Sequence, residues 1–462
     1  MEILKIGLLP LYLELYDNLF PEMRNRLDTF LRKIEDLFST HGVDVRTAPI
    51  CRLEHEVQES ISQFENTNAD AVVTIHLAYS PSLESAASLA KTKLPVIILD
   101  TTPAFSYGAR QDPGELMFNH GIHGVQDLCN LLLRHGKPFL IHAGHWERSD
   151  VMKRLVHSLD SAKMARAIRR SKIGLIGDPF SGMGDFSVPF DVLKEQLDVN
   201  VLRLTGREMV DYLAGVSEQE VSNVRADICG FADTSSVDEE VLDKTIKTDL
   251  ALQKWFAAND LTGVTFNFQY ITREKGFPTV PFFTAGKAMA SGMGYAGEGD
   301  CLTAALVGAL LQVYPKTSFT EMFCPDWENG TVYLSHMGEV NYTLLAEKPR
   351  FQEMNYSFSD TGNPAFIPGR FKEGEIVITN LAPVKDGFRL ITAPAQMIGI
   401  EGEDRMMDSV HGWFKPQIPL PGFLEAYSEL GGTHHLALSY DADIGVLRNF
   451  ARLMNWEFFV ID

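Results

Sequence analysis

A change of texture near residue 315 restricts the fold of this chain more than any other feature. Before it, short apolar runs alternate with helical periodicity. Residues 3–9, 70–76, 94–99 and 137–142 read as strands, with 23–37 and 82–90 helical between them. Strands apolar on both faces and separated by helices predict a parallel sheet in a doubly wound α/β layer. Residues 152–172, rich in Arg and Lys, read as a polar helix linking domains. A second α/β unit begins with a strand over 172–177 and continues through strands 200–204 and 263–268. Acidic helical segments occupy 217–259, and a helix spans 285–292. After 315, residues 331–336, 375–380, 388–397 and 434–439 form short strands broken by Gly, Pro and Asp turns, and helical signal returns only at 444–454. The expectation is two doubly wound α/β domains, 1–170 and 171–314, followed by a mostly β, barrel-like domain over 315–462. A length of 462 residues suits two or three domains and not one core.

Composition enters as an exclusion. A net charge of −20 argues against nucleic acid and anionic membrane as partners. Uninterrupted apolar stretches are too short for a membrane span. Residues 1–5 lack the basic region of a signal peptide. Five scattered cysteines (Cys51, Cys129, Cys229, Cys301, Cys324), none in a Cys-x-x-Cys pair, read as reduced thiols, so the expected location is the cytoplasm.

The chemistry concentrates across the boundary itself. Asp300 precedes apolar positions Leu302, Ala305, Leu306, Ala309, Leu310 and Val313, the pattern of an amphipathic helix with an aspartate N-cap. Glu298 lies between Gly297 and Gly299 just before that N-terminus, where the helix dipole favours an ionised carboxylate. Strand alternation puts His336 on the inward side with Val332 and Leu334, and Glu321 is expected on a nearby turn. Two carboxylates and an inward imidazole suggest a divalent-metal site. The plain alternatives are a second capping acid, a solvated glutamate and a core histidine. Gly431-Gly432-Thr433-His434-His435 offers further imidazoles, and strand parity leaves open which of the pair faces inward.

Taken together, Tyr295-Ala296-Gly297-Glu298-Gly299-Asp300, Ser318-Phe319-Thr320-Glu321, Ser335-His336-Met337 with Glu339-Val340, and Thr433-His434-His435 resemble the metal-binding segments of the L-arabinose isomerase family, in the arabinose/fucose isomerase superfamily. Further matches run in the same order: Ala71-Val72-Val73 to His76, Ser80-Pro81, Asn119, His123-Gly124, Gly144-His145-Trp146 and Val460-Ile461-Asp462. The resemblance implies an aldose–ketose isomerase working through a cis-enediolate. It implies Glu298, Glu321, His336 and His435 as ligands of Mn²⁺, with Co²⁺ or Mg²⁺ as alternatives, and Glu298 and Glu321 as the acid/base pair. It also implies a homo-oligomer, trimer or hexamer, in which His123 reaches the substrate across a subunit boundary.

Departures point to a different sugar. Where the family carries Ser-Gln-His-Leu-Tyr, this chain has Leu8-Leu9-Pro10-Leu11-Tyr12, so a hydroxyl-binding amide is replaced by Leu9. The family's Phe-Glu-Asp becomes Phe268-Gln269-Tyr270, and the sequence ends at Asp462 where arabinose isomerases carry a tail. Leu9, Tyr12, Gln269, His123 and Arg110 are therefore the substrate-contact candidates. Arg110 suits a sulfonate or phosphate, so a sulfonated, phosphorylated or deoxy hexose is the expected class. Two other readings stand beside this one. One is a non-catalytic sugar-binding or sensor protein; the other is a nucleotide-dependent enzyme using the turn Gly182-Met183-Gly184, which lacks any Gly-x-Gly-x-x-Gly or Gly-Lys-Ser/Thr signature.

Overall fold

A computed structural model describes residues 3–462; Met1 and Glu2 of the start segment lie outside it. The chain forms two compact units. The first holds residues up to Arg166 together with Ile444–Trp456, and the second holds Ala167–Asp443 with Glu457–Asp462.

The first unit is built on a five-stranded sheet. Its strands are β1 (Lys5–Leu11), β2 (Asp44–Thr47), β3 (Ala71–His76), β4 (Val96–Asp100) and β5 (Phe139–Ala143), all parallel in the order β2-β1-β3-β4-β5. Every residue of β3 is buried, as a central strand covered on both faces requires. Leu9 and Leu11 enter the core with Val57, Ile61, Val72 and Val96. Helix Ile444–Met454 packs against β5, and its Val446 carbonyl accepts a 2.8 Å hydrogen bond from the Ser161 hydroxyl.

Helix Val151–Arg169 corrects the expectation of a polar linker. Met152, Leu155, Leu159, Ala162, Met164 and Ile168 are all buried, while its Arg and Lys side chains occupy the remaining positions. Long cationic side chains had masked an apolar face. The division between the two units falls inside this helix.

The second unit combines a parallel sheet and a barrel. The sheet consists of β6 (Lys172–Ile176), β7 (Asn200–Leu204), β8 (Gly263–Phe266) and β9 (Gly294–Gly297) in the order β7-β6-β8-β9. The β region contains β10 (Thr317–Asp326), β11 (Thr331–His336), the two-residue pair β12 (Gln352–Glu353) and β13 (Ala365–Phe366), and β14 (Gly369–Arg370). It continues with β15 (Gly374–Val384), β16 (Gly387–Ile398), β17 (Val410–Pro416), β18 (His435–Tyr440) and β19 (Glu457–Val460). The order β17-β11-β10-β18-β15-β16 closes on itself because β16 also pairs with β17. A barrel results, and closure removes the free edges that this many strands would otherwise expose.

Helix Cys301–Leu311 joins the two halves of this unit. It touches β8 and β9 as well as β10, β15 and β18, and its side chains are buried on every face. The expectation of an amphipathic helix is therefore corrected: the apolar residues at all helical angles reflect a helix enclosed by a sheet and a barrel. Gly294 permits the approach, since a Cβ there would lie 2.1 Å from the Ala304 carbonyl oxygen. Helix Leu420–Glu429, preceded by prolines, is an element that the β-rich texture concealed.

Candidate metal centre

Strand register assembles the site. Glu321 lies in β10, opposite His435 of β18 on one side and Ser335 of β11 on the other. It is thus a strand residue and not a turn residue, and it is 9% exposed. His336, next to Ser335, places its Nε2 3.2 Å from Glu321 Oε1, and His435 Nε2 lies 2.9 Å from the same oxygen. Glu298 enters from the parallel sheet. Its φ of +60° is left-handed, a conformation rare for a residue with a side chain, and Gly299 follows at +89°. A Cβ on Gly299 would strike the Pro179 Cα at 2.6 Å, so the turn is closed from outside by backbone. The kink brings Glu298 Oε2 to 3.6 Å from His435 Nε2.

Each imidazole is anchored through its other nitrogen. Asp300 Oδ2 lies 2.9 Å from His435 Nδ1, and Glu339 Oε2 lies 2.5 Å from His336 Nδ1. Asp300 also caps its helix as expected, accepting from the Thr303 amide at 2.8 Å. Tyr295 hydroxyl donates to Glu339 Oε1 at 2.7 Å. Phe319 meets both imidazoles edge-on, and Phe186 stacks on His435 with centroids 4.6 Å apart. The structure thereby resolves the parity question: His435 is fully buried inward, and His434 is about one-third exposed.

His435 Nε2 is buried without a hydrogen-bond partner of proper geometry, although two carboxylates stand near it. An orphaned nitrogen with its Nδ1 committed to a carboxylate is the arrangement of a metal-ligating histidine. The donors are carboxylate oxygens and imidazole nitrogens, which suit Mn²⁺, Co²⁺ or Mg²⁺. The residues present fit a divalent ion. Without one, charge pairing dominates the electrostatics. Burial opposes ionisation of Glu298, but His434 and His435 outweigh it and hold its carboxyl down at about 2. Burial also opposes charge on Glu321, and His336 and His435 reverse it. For His336, burial pulls down while Glu339 and Glu321 lift the imidazole to about 10.

Glu298, Glu321, His434 and His435 each offer one ligand atom, and these atoms all lie within 4.8 Å of one another; His336 joins through Glu321. The four residues singled out in the sequence thus come together, with His434 added. The pairing of Asp300 with His435 was invisible in the sequence because neither spacing nor parity links them, whereas Glu339 stands only three residues beyond its partner His336. Asp185, within the loop considered for nucleotide, contacts His434 at 2.6 Å. No periodicity marks it.

The remaining candidates lie elsewhere. Gln269 is exposed in the turn Phe268–Tyr270 of the second unit, its backbone N–H donating to Asn267 Oδ1. The others belong to the first unit. Leu9 and Tyr12 are fully buried there. His123 is exposed and pairs with His120 at 2.7 Å, and Arg110 is exposed in its loop. His76, fully inside, has Gly124 packed against its ring. All five cysteines are free. Among the described residues, no helix is long and apolar enough to cross a membrane.

Residues 193–314 match the L-arabinose isomerase central domain, and 316–457 match the L-arabinose isomerase C-terminal domain. An L-arabinose isomerase of Geobacillus kaustophilus is 26% identical over 405 residues, covering 85% of this chain and 80% of the relative. One from Thermotoga maritima is 24% identical over 444 residues, covering 90% and 85%. A periplasmic solute-binding protein of Actinobacillus succinogenes with bound D-allose covers 67% of this chain at 14% identity, with a TM-score of 0.17, too low to join the two folds. The chain belongs to the arabinose isomerase-like superfamily.

Proposed function

We propose that this protein is a divalent-metal-dependent aldose–ketose isomerase acting on a sugar other than L-arabinose. Its class, isomerase, rests on its family. Metal dependence is supported above all by the orphaned, buried Nε2 of His435, aimed at Glu298 and Glu321 and locked from behind by Asp300.

Isomerisation moves one proton between C1 and C2 and another between their oxygens. A divalent ion held there would supply Lewis-acid stabilisation of the negative charge that develops on the sugar oxygens. The rest falls to side chains. Glu298, Glu321, His336 and His435 would hold the ion, and the two glutamates carry protons at the reacting carbons and oxygens. Phe186 and Phe319 wall the imidazoles, with Tyr295 edge-on behind Phe319, which keeps water from competing for the carboxylates.

The sugar-end pocket is the part rebuilt. The family's amide position is held by Leu9, now core, and its acidic position by exposed Gln269. Losing the amide penalises the hydroxyl it would bind, and losing a carboxylate removes a repulsion against an anionic group, so deoxy, sulfonated and phosphorylated hexoses are the substrate classes to assay. The testing experiment is a panel of neutral, deoxy and 6-anionic aldoses and ketoses incubated with Mn²⁺. Ketose formation confirms an isomerase; saturable sugar binding without turnover on any member favours the sensor reading. We further propose a homo-oligomer with shared sites, since His123 belongs to a different unit from the ligands. Activity recovered by mixing inactive His123→Ala and Glu321→Ala subunits supports sharing, and none after reassembly refutes it.

A further inference from the structure

Three carboxylate–histidine pairs surround the two glutamates, not two. Besides Asp300–His435 and Glu339–His336, Asp185 Oδ2 contacts His434 Nδ1 at 2.6 Å and accepts from the His434 backbone amide at 2.9 Å. That double contact fixes the ring, and it turns His434 Nε2 toward Glu298 Oε2 at 3.8 Å. An exposed ion pair on an ordinary surface loop holds its partners loosely. This one is fastened on both sides. Phe186, adjacent to Asp185, stacks on His435, and the Phe180 amide of the same loop donates to the Glu298 carbonyl at 2.9 Å.

The same construction recurs in all three pairs. A carboxylate takes Nδ1, and Nε2 is left facing Glu298 or Glu321. What differs is exposure: the His434 side chain is 35% exposed, against 7% for His336 and 0% for His435. His434 therefore stands on the open side of the centre, where a ligand arriving from solvent first meets it.

We propose that His434 is a further donor to the metal centre, positioned by Asp185, and that it occupies the coordination place on the exposed side until a sugar oxygen takes it. The inference rests on the metal-site reading above. It makes His434 exchangeable where His336 and His435 are permanent, because a ligand that is one-third exposed leaves without uncovering a buried charge. Asp185 acts only through His434 and is a positioning residue.

The test uses the full chain, stripped of metal, with Mn²⁺ titrated calorimetrically and Co²⁺ followed by its visible spectrum, which responds to the type and number of donors. His434→Phe keeps a ring against Phe186 and His435 but has no nitrogen. It is expected to weaken Mn²⁺ binding about 10-fold or more without sugar, since a direct donor costs at least what an outer partner does, and to change the Co²⁺ spectrum. Asp185→Asn should shift both readouts in the same direction by less, and Asp185→Glu should restore them. An affinity within twofold of the parent together with an unchanged Co²⁺ spectrum in both His434→Phe and Asp185→Asn overturns the proposal. Absence of Mn²⁺ binding by the unsubstituted protein is a different failure and overturns the metal reading itself.

Discussion

Buried histidines of the two units have opposite surroundings. His76, at the end of β3, is 3% exposed, its Nδ1 has no hydrogen-bond partner, and glycines 121 and 124 press on it. Burial drives its imidazole down to about 4, with Asp127 pulling weakly the other way. His336 and His435 are as deeply enclosed, yet carboxylates at Nδ1 hold both above the ordinary imidazole value against burial. Burial alone makes a histidine a packing residue. A carboxylate behind it turns the same ring into half of a cation site.

The comparison breaks most visibly at the glutamates. Glu298→Gln and Glu321→Gln are expected to lower turnover about 10²–10⁴-fold with Mn²⁺ saturating, the usual scale of a lost proton carrier. Thermal melting should move little, and a rate near that of the parent in either variant removes that carboxylate from catalysis. Next in size are the anchors. Asp300→Asn and Glu339→Gln should each weaken Mn²⁺ binding about 10–100-fold in a calorimetric titration, whereas Asp127→Asn in the first unit should leave it unchanged. Equal losses in all three would mean that the anchors act on folding and not on the ion.

Acid separates the two kinds of histidine in the other direction. His76 has a folded value near 4, below its unfolded value of about 6.5. The unfolded chain therefore takes the proton first as pH falls. Its stabilising share is complete above about 6.5 and is lost progressively toward 4, amounting to about 2 kcal/mol by pH 5. His142, pushed down to about 4 by burial and then by Arg154 and Arg452, adds to the same trend. Urea unfolding at pH 7 and pH 5 should show it, and His76→Leu should flatten the slope; an unchanged slope would mean that His76 is not the group responsible. The smallest effect belongs to Arg110, exposed in its loop. Arg110→Ala should cost a 6-anionic sugar less than about 10-fold in kcat/KM, on the scale of one exposed charge, and leave neutral sugars unaffected. No charged sugar outperforming the neutral ones ends that assignment.

Much of this was legible in advance because periodicity records burial. The continuous apolar runs became β3, β4 and β6, alternation placed His336 inward, and the Asp300 cap stood where its helix begins. What escaped depended on tertiary partners. Glu321, expected on a turn, lies instead in a barrel strand, between Ser335 of β11 and His435 of β18. The buried helix over Val151–Arg169 hid behind its cations, and Asp185 gained meaning only when its loop folded over Glu298.

The last stretch of chain has a consequence in time. Helix Ile444–Met454 belongs to the first unit, although some 280 residues of the second are made between it and Arg166. At about 5–20 residues per second, a ribosome needs roughly 15–60 s to deliver it. The first unit must wait through that interval with β5 lacking the helix that covers it. Synthesis order thus gives the second unit the earlier chance to finish all but β19, while the first unit stays incomplete until its last helix emerges.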